Sequence, residues 1–243
     1  MAAGEARDDY NGLQGDSADA TERKVRILRR SAVFARWNEG DLRRLAQSAG
    51  LQRTNRRRSL QNQPDKRSVF VLGSGRVRVV RTGHPRAVTI GYFGPGDVVG
   101  ETALIQEADP VELLAIDQVE ALRLSLDTAQ RLLEENATFA SELVHLMGKR
   151  RQSAERRMEA FLTRTVESRV AEFLLETAER YGVPDSRGVL IGVRFTHQEV
   201  ASYVGSTRET VTVILAGFKR DQLVITDHRR IIVSDPKKLA GRL

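Results

Sequence analysis

The chain has 243 residues, 40% of them hydrophobic, enough to bury two ordinary cores, and it contains no cysteine. The missing thiols exclude disulfides, thiolate zinc sites, cysteine-ligated iron–sulfur clusters and a cysteine nucleophile. Lys and Arg number 39 against 32 Asp and Glu, a formal charge of +7, which suits a polyanionic partner because neutralised phosphates release condensed counterions.

Residues 1–20 are rich in Gly, Ala, Asp and Ser with few large apolar groups, the composition of a disordered tail. That stretch lacks the positive opening and apolar run of a signal peptide, and no later segment approaches a membrane span, so a cytoplasmic protein is expected. From residue 21 to 137 we expect one domain. It opens with short helical patterns, Val25, Ile27 and Leu28, then Leu42, Leu45 and Ala46 after a cap at Asn38. Brief β-rich runs follow at Val69–Leu72, Arg76–Val80, Val88–Tyr92, Leu113–Ile116 and Ala121–Leu124, punctuated by glycine and proline as in a compact barrel or roll. Gly73-Ser-Gly75, Gly83-His84-Pro85 and Phe93-Gly94-Pro95-Gly96-Asp97 mark turns, the last leading into Gly100 and Glu101 at the start of a short helix. Arg76, Arg78 and Arg81 crowd one hairpin and Arg56–Arg58 form a run. A solvated basic face and a site for an anion such as a cyclic dinucleotide both remain open.

The longest helical pattern covers 138–162. Ala140, Val144, Met147, Arg151, Ala154, Met158 and Phe161 alternate spacings of four and three, a heptad seam suited to an identical helix, which makes a homodimer the expectation. Leu143 and Leu146 sit beside the seam and should pack back on the β-rich domain, and Arg151 needs a partner such as Glu155. Thr163-Arg164-Thr165 breaks the pattern and opens a second domain, 163–243. In it a helix at Val166–Tyr181, a turn at Pro184–Gly188 and a strand at Val189–Val193 lead to two short helices joined at Gly205. Thr196 and Glu199 form a capping box for the first, and Ser206 and Thr207 cap the second, whose Val211, Ile214, Leu215 and Phe218 recur at helical spacing. Strands at Leu223–Ile225 and Ile231–Val233 flank a polar loop at Thr226–Arg230, completing a winged helix-turn-helix.

The runs Thr196-His-Gln-Glu-Val, Val204-Gly-Ser-Thr-Arg-Glu-Thr-Val and Asp221-Gln-Leu-Val resemble the DNA-binding domain of the bacterial CRP/FNR transcription regulators. The turn through Gly100-Glu101 resembles that family's cyclic-nucleotide-binding β-roll. The resemblance covers roughly residues 25 to 235. It implies an α+β protein: an N-terminal β-roll of jelly-roll type with flanking helices, a long dimerisation helix, and a winged helix-turn-helix. It also implies double-stranded DNA as partner, with base readout by Arg208, Glu209 and Val213 and phosphate contacts from Thr196, His197, Ser206, Thr207 and Thr210. Half-sites related to TGTGA follow from Arg208 and Glu209; Val213 stands where CRP-like members commonly carry arginine. RNA polymerase is a further partner that the family allows.

The effector pocket departs from the family pattern. Where cyclic-AMP-binding members place an arginine and a serine on the cyclic phosphate, this sequence has Val111 and Glu112, and the two adenine-binding hydroxyls are replaced by Ala154 and Glu155. A valine makes no charge-assisted contact and a glutamate repels phosphate, so with Gly100 and Glu101 these residues outline a degenerate pocket and cyclic AMP is not expected as effector. Haem would need an axial ligand such as His84 or His145, for which nothing argues, so no cofactor and no metal is expected. Two alternatives stay open: a regulator switched by a different ligand, and a ligand-sensing dimer that no longer binds DNA. An enzyme is not expected, because metal-ligand spacing, a phosphate loop and a nucleophile–base pair are all missing.

Overall fold

The computed structural model describes residues 18–61, 67–82, 88–105, 111–227 and 230–243. The tail up to residue 17, the Gly83-His84-Pro85 turn and part of the wing loop lie outside the described residues. The chain divides into two units, one running to residue 82 and over 91–146, the other over 83–90 and 147–243.

In the first unit, α1 (Ala18–Arg30) begins inside the stretch expected to be tail. Asp19 in its first turn and Arg29 and Arg30 in its last complement the helix dipole, an end-charge pattern that apolar spacing alone does not register. The side chain of Asn38 caps α2 (Glu39–Ser48), accepting from the Asp41 amide at 2.9 Å. The roll follows as β1 (Gly50–Thr54), β2 (Ser68–Ser74), β3 (Val77–Arg81), β4 (Val88–Phe93), β5 (Val98–Val99), β6 (Val111–Ala115) and β7 (Val119–Ser125). Two sheets result, in the orders β1-β7-β2-β5 and β4-β3-β6.

Strand β2 shows why the roll needs its helices. Val69 and Val71 face a cluster built with Val25, Leu28, Leu42 and Leu45, whereas Phe70 and Leu72 face the roll interior with Leu60, Val77 and Leu113. The two-residue period of a strand therefore feeds two cores at once, and Ser68 to Leu72 are all buried. Helix α3 (Leu126–Glu135), capped by Ser125, is an element the sequence reading did not include. Helix α4 (Ala137–Thr163) runs unbroken from the first unit into the second. At its start Phe139 stacks on Phe34 with centroids 5.7 Å apart and meets Trp37 edge-on at 6.3 Å; Leu143 is buried with them and Leu146 packs alongside.

In the second unit, Thr165 caps α5 (Val166–Tyr181), followed by β8 (Gly182–Asp185), β9 (Gly188–Ile191), α6 (His197–Val204), α7 (Arg208–Arg220), β10 (Val224–Asp227), β11 (Arg230–Val233) and α8 (Pro236–Ala240). The sheet order is β10-β11-β9-β8. Residues 184–188 are not a turn throughout: Pro184 pairs with Val189 inside β8, where proline is tolerated because β8 is an edge strand. The wing strands run further into the polar loop than expected, with Thr226 opposite Ile231 and Asp227 opposite Arg230. Buried Val170, Phe173, Leu174, Val200, Val211, Leu215, Phe218 and Ile232 fill this unit. The expected α+β architecture of roll, long helix and winged helix-turn-helix is the one observed. Among the described residues, no helix is long and apolar enough to cross a membrane.

Phe139→Ala should destabilise the first unit by about 3–5 kcal/mol, the usual cost of emptying a buried aromatic site. Urea unfolding followed through Trp37, the single tryptophan and a neighbour of that ring, measures it directly.

Candidate nucleic-acid interface

Helix α6 begins with a complete capping box. Thr196 Oγ1 accepts from the Glu199 amide at 3.2 Å, while Glu199 Oε2 accepts from the Thr196 amide at 2.8 Å and from its hydroxyl at 3.0 Å. The hydroxyl of Thr196 is thereby engaged twice within its own helix. Gly205 ends α6 at φ 66°, ψ 52°, a left-handed conformation costly for any residue with a Cβ. A Cβ there would also come within 3.0 Å of the Phe161 ring. Arg169 holds the same corner: its Nε donates to the Val204 carbonyl at 2.9 Å, one Nη to the Arg164 carbonyl at 2.8 Å, and its guanidinium lies 5.2 Å from the centroid of Phe161. The sequence pattern identified Gly205 but gave no sign of Arg169, whose partner at this corner, the Val204 carbonyl, lies 35 positions along the chain.

Helix α7 starts at Arg208 with Thr207 as cap. Thr207 Oγ1 accepts from the Thr210 amide at 3.2 Å and shares a hydrogen bond with the Thr210 hydroxyl at 3.0 Å. Val211, Leu215 and Phe218 point inward. Arg208, Glu209, Thr212, Val213 and Ala216 all lie exposed on the opposite face, with Val213 71% accessible. Arg208 thus stands on the first turn, the positive end of the helix dipole, where a cation is unfavourable, and Glu209 beside it is well placed. His197 and Ser206 are half-buried. One contact unforeseen from sequence links the two helices: His197 Nδ1 lies 2.7 Å from Thr212 Oγ1, which itself donates to the Arg208 carbonyl at 2.8 Å.

The wing is braced by Arg187, which reaches both Asp185 and Asp227 at 2.9 Å. The hydrogen bonds from Arg187 hold the Asp185 carboxyl below its ordinary range. At the far end of α7, Arg242 ties Glu167 to Asp221 at 3.2 and 2.6 Å.

On α4 the residues of the expected seam present an open face. Val144, Met158 and Phe161 are 71%, 60% and 42% accessible, Met147 and Ala154 are also exposed, and Ala140 is half-buried. Leu162, at 81%, extends this apolar face beyond the expected residues. Arg151 Nε donates to Glu155 Oε1 at 2.7 Å, and this bond raises the guanidinium above its ordinary value.

In the first unit, Gly100 takes φ 82° ahead of the short turn Glu101–Leu104, and a Cβ there would meet the Ser68 carbonyl at 2.5 Å. The turn therefore seats on β2 and against Leu113, two residues beyond Val111. Val111 pairs with Arg81 and exposed Glu112 with Val80. Arg123 Nε donates to the Ser68 hydroxyl at 2.9 Å. Part of the basic run is committed to structure: Arg76 grips Asp117 through its backbone amide, Nε and one Nη at 2.6, 2.8 and 2.5 Å, and Arg56 Nε donates to the Ile116 carbonyl at 3.0 Å. Among the described residues, no group of three or more His, Asp or Glu is placed to hold a metal ion.

Comparison with known proteins fits both units. Residues 58–136 match the cyclic nucleotide-binding domain and residues 168–242 the Crp-like helix-turn-helix domain. The regulatory protein CysR of Synechococcus elongatus is 30% identical over 175 residues, 70% of this chain and 78% of that protein. A CRP-like cAMP-activated global transcriptional regulator of Mycobacterium tuberculosis is 25% identical over 178 residues, 72% of this chain and 79% of that protein. The solved structure of the c-di-GMP responsive global regulator CLP of Xanthomonas campestris superposes with a TM-score of 0.70 at 22% identity, over 82% of this chain and all of that one, which is a likeness of fold. With a roll of this topology, a capped pair of helices turning at Gly205, and a relative at this identity over most of its length, the chain belongs to the CRP/FNR family of transcription regulators.

Proposed function

We propose that this regulator binds a palindromic DNA site as a homodimer, with Arg208, Glu209 and Val213 facing base edges in half-sites related to TGTGA, and that it does so without cyclic AMP. The observation that carries the reading is the exposed face of α7. Arg208 sits at the helix end where its charge weakens the helix, by about 0.3–1 kcal/mol at an exposed site, and a polyanion is what would reverse that penalty. Its planar fork suits guanine O6 and N7, and Glu209 suits a cytosine amine. His197, Ser206, Thr207 and Thr210 would set register on the phosphates, whereas Thr196, whose amide and hydroxyl both donate to Glu199, would join them only by giving up its capping box. The open apolar face of α4 supports pairing with a second copy, which would set two recognition helices roughly 34 Å apart, one DNA turn. Val111 and Glu112, and Ala154 and Glu155 on α4, support independence from cyclic AMP, since none of them can donate to a cyclic phosphate or its base as the usual residues do. We place the protein in the cytoplasm, with its DNA.

A gel-shift titration of purified, ligand-free protein on a palindrome selected from random sequence tests the reading. Specific binding at nanomolar levels is expected. Weak, indiscriminate binding that an added anion such as a cyclic dinucleotide sharpens would instead assign the roll a different ligand, and indiscriminate binding under all conditions would reduce the chain to a dimer module without a DNA site. Calorimetry with cyclic AMP should register no binding heat. Arg208→Ala should cost about 1–3 kcal/mol and relax preference at one base pair, while Ser206→Ala should weaken all sequences alike. Val213→Arg should sharpen preference at the base pair that valine leaves loosely read, visible when the selection is repeated with the variant.

A further inference from the structure

We propose that His197 holds the DNA backbone as an imidazolium, so that DNA binding takes up a proton, and that Thr212 is the positioning residue that enforces this; the proposal rests on α6 and α7 being the DNA-binding pair. Thr212 has one hydroxyl hydrogen and two close neighbours. Its Oγ1 lies 2.8 Å from the Arg208 carbonyl oxygen and 2.7 Å from His197 Nδ1. A carbonyl oxygen only accepts, so the hydroxyl hydrogen must lie toward Arg208; otherwise two sets of oxygen lone pairs would face each other at 2.8 Å. The contact with His197 then runs the other way, with Nδ1–H donating to Oγ1.

A neutral imidazole carries one N–H, and here Thr212 claims it. The remaining ring nitrogen, Nε2, is a bare acceptor, and phosphate oxygens also only accept. Neutral His197 in this tautomer therefore repels a phosphate oxygen at Nε2, and the other tautomer would meet Thr212 only by turning its hydroxyl hydrogen from the Arg208 carbonyl to Nδ1, giving up that bond. Protonation resolves the conflict: Nε2 gains a hydrogen, the ring gains a charge, and the bond to Thr212 survives. His197 is the first residue of α6, an end of a helix that is poor for a cation and good for a phosphate, so the imidazolium is favoured once phosphate arrives.

Among the described residues, no hydrogen bond or ion pair joins His197 to a charged side chain. On α6, Glu199 is bound to the Thr196 amide and hydroxyl. On α7, Arg208 and Glu209 occupy the exposed first turn, and Arg194 lies exposed in the loop before α6. On α5, Glu176 meets Tyr203, and Arg169 meets Val204, both at the opposite end of α6. Because binding favours the protonated ring, the affinity gain is fully present at low pH and lost as pH rises.

The test is fluorescence anisotropy of the full chain on its selected palindrome and on a scrambled duplex, from pH 5.5 to 8.5 at constant ionic strength. Affinity for both duplexes should fall by roughly tenfold between pH 6 and pH 8, since a phosphate contact reads no sequence. His197→Gln should be flat at the weak level and His197→Arg flat at the strong level. Thr212→Val, which removes the acceptor at Nδ1 and lets the neutral ring carry its hydrogen on Nε2, should give a shallower slope than the parent, and His145→Gln, on α4, should keep the full slope. A flat profile for the parent with specific binding intact, or a slope that survives His197→Gln, overturns the proposal while leaving the DNA reading standing. An unchanged slope in Thr212→Val overturns the role of Thr212. No specific binding at any pH overturns the DNA reading and this inference with it.

Discussion

The second unit is arranged around one left-handed residue. Gly205 lets α6 stop and α7 start within two further residues, and its neighbours leave little room for another geometry: the Phe161 ring lies on one side, and the Arg169 guanidinium holds the Val204 carbonyl. Each support is of a different kind. The backbone dihedral admits little but glycine, the ring fills the space a side chain would take, and the arginine satisfies a carbonyl that the helix end would otherwise leave orphaned. Because capping at Thr196 and Thr207 fixes where each helix begins, the direction in which Arg208 and Glu209 point is set by backbone chemistry before any ligand is present.

How much of this the sequence revealed depended on whether the cause was local. Caps at Asn38, Thr196 and Thr207, the apolar stripe of α7 and the short apolar run of β2 act over a few residues, and each was legible, whereas the division of that run between two cores was not. The beginning of α1 was set by end charges rather than apolar spacing. The helix α3 followed β7 without a break, and Pro184 read as a turn because nothing local says that β8 will be an edge strand. In the site, the exposed face of α7 was readable from helical period. The bond from Arg187 to Asp227 and the link from His197 to Thr212 join residues 15 or more positions apart, and no periodicity marks them.

The two cores fed by β2 bear on which residues of the roll are fixed by packing. The Gly100 turn is retained by close contact with the Ser68 carbonyl, a purely structural demand, so it persists whatever the pocket holds. Val111 and Glu112 are under no such demand: Glu112 is exposed, and its pairing with Val80 runs through backbone atoms. A scaffold whose turns are fixed by packing can change the polar residues around it without losing its shape.

Helix α4 carries a consequence for the life of the chain before it reaches any target. Val144, Met158 and Leu162 are each more than half accessible in the single molecule, an apolar strip interrupted by Arg151 and Glu155 and of the kind that promotes indiscriminate association. A newly made chain must cover that strip quickly. Substitutions along it will therefore register first in yield and solubility during production, well before any effect on recognition becomes measurable.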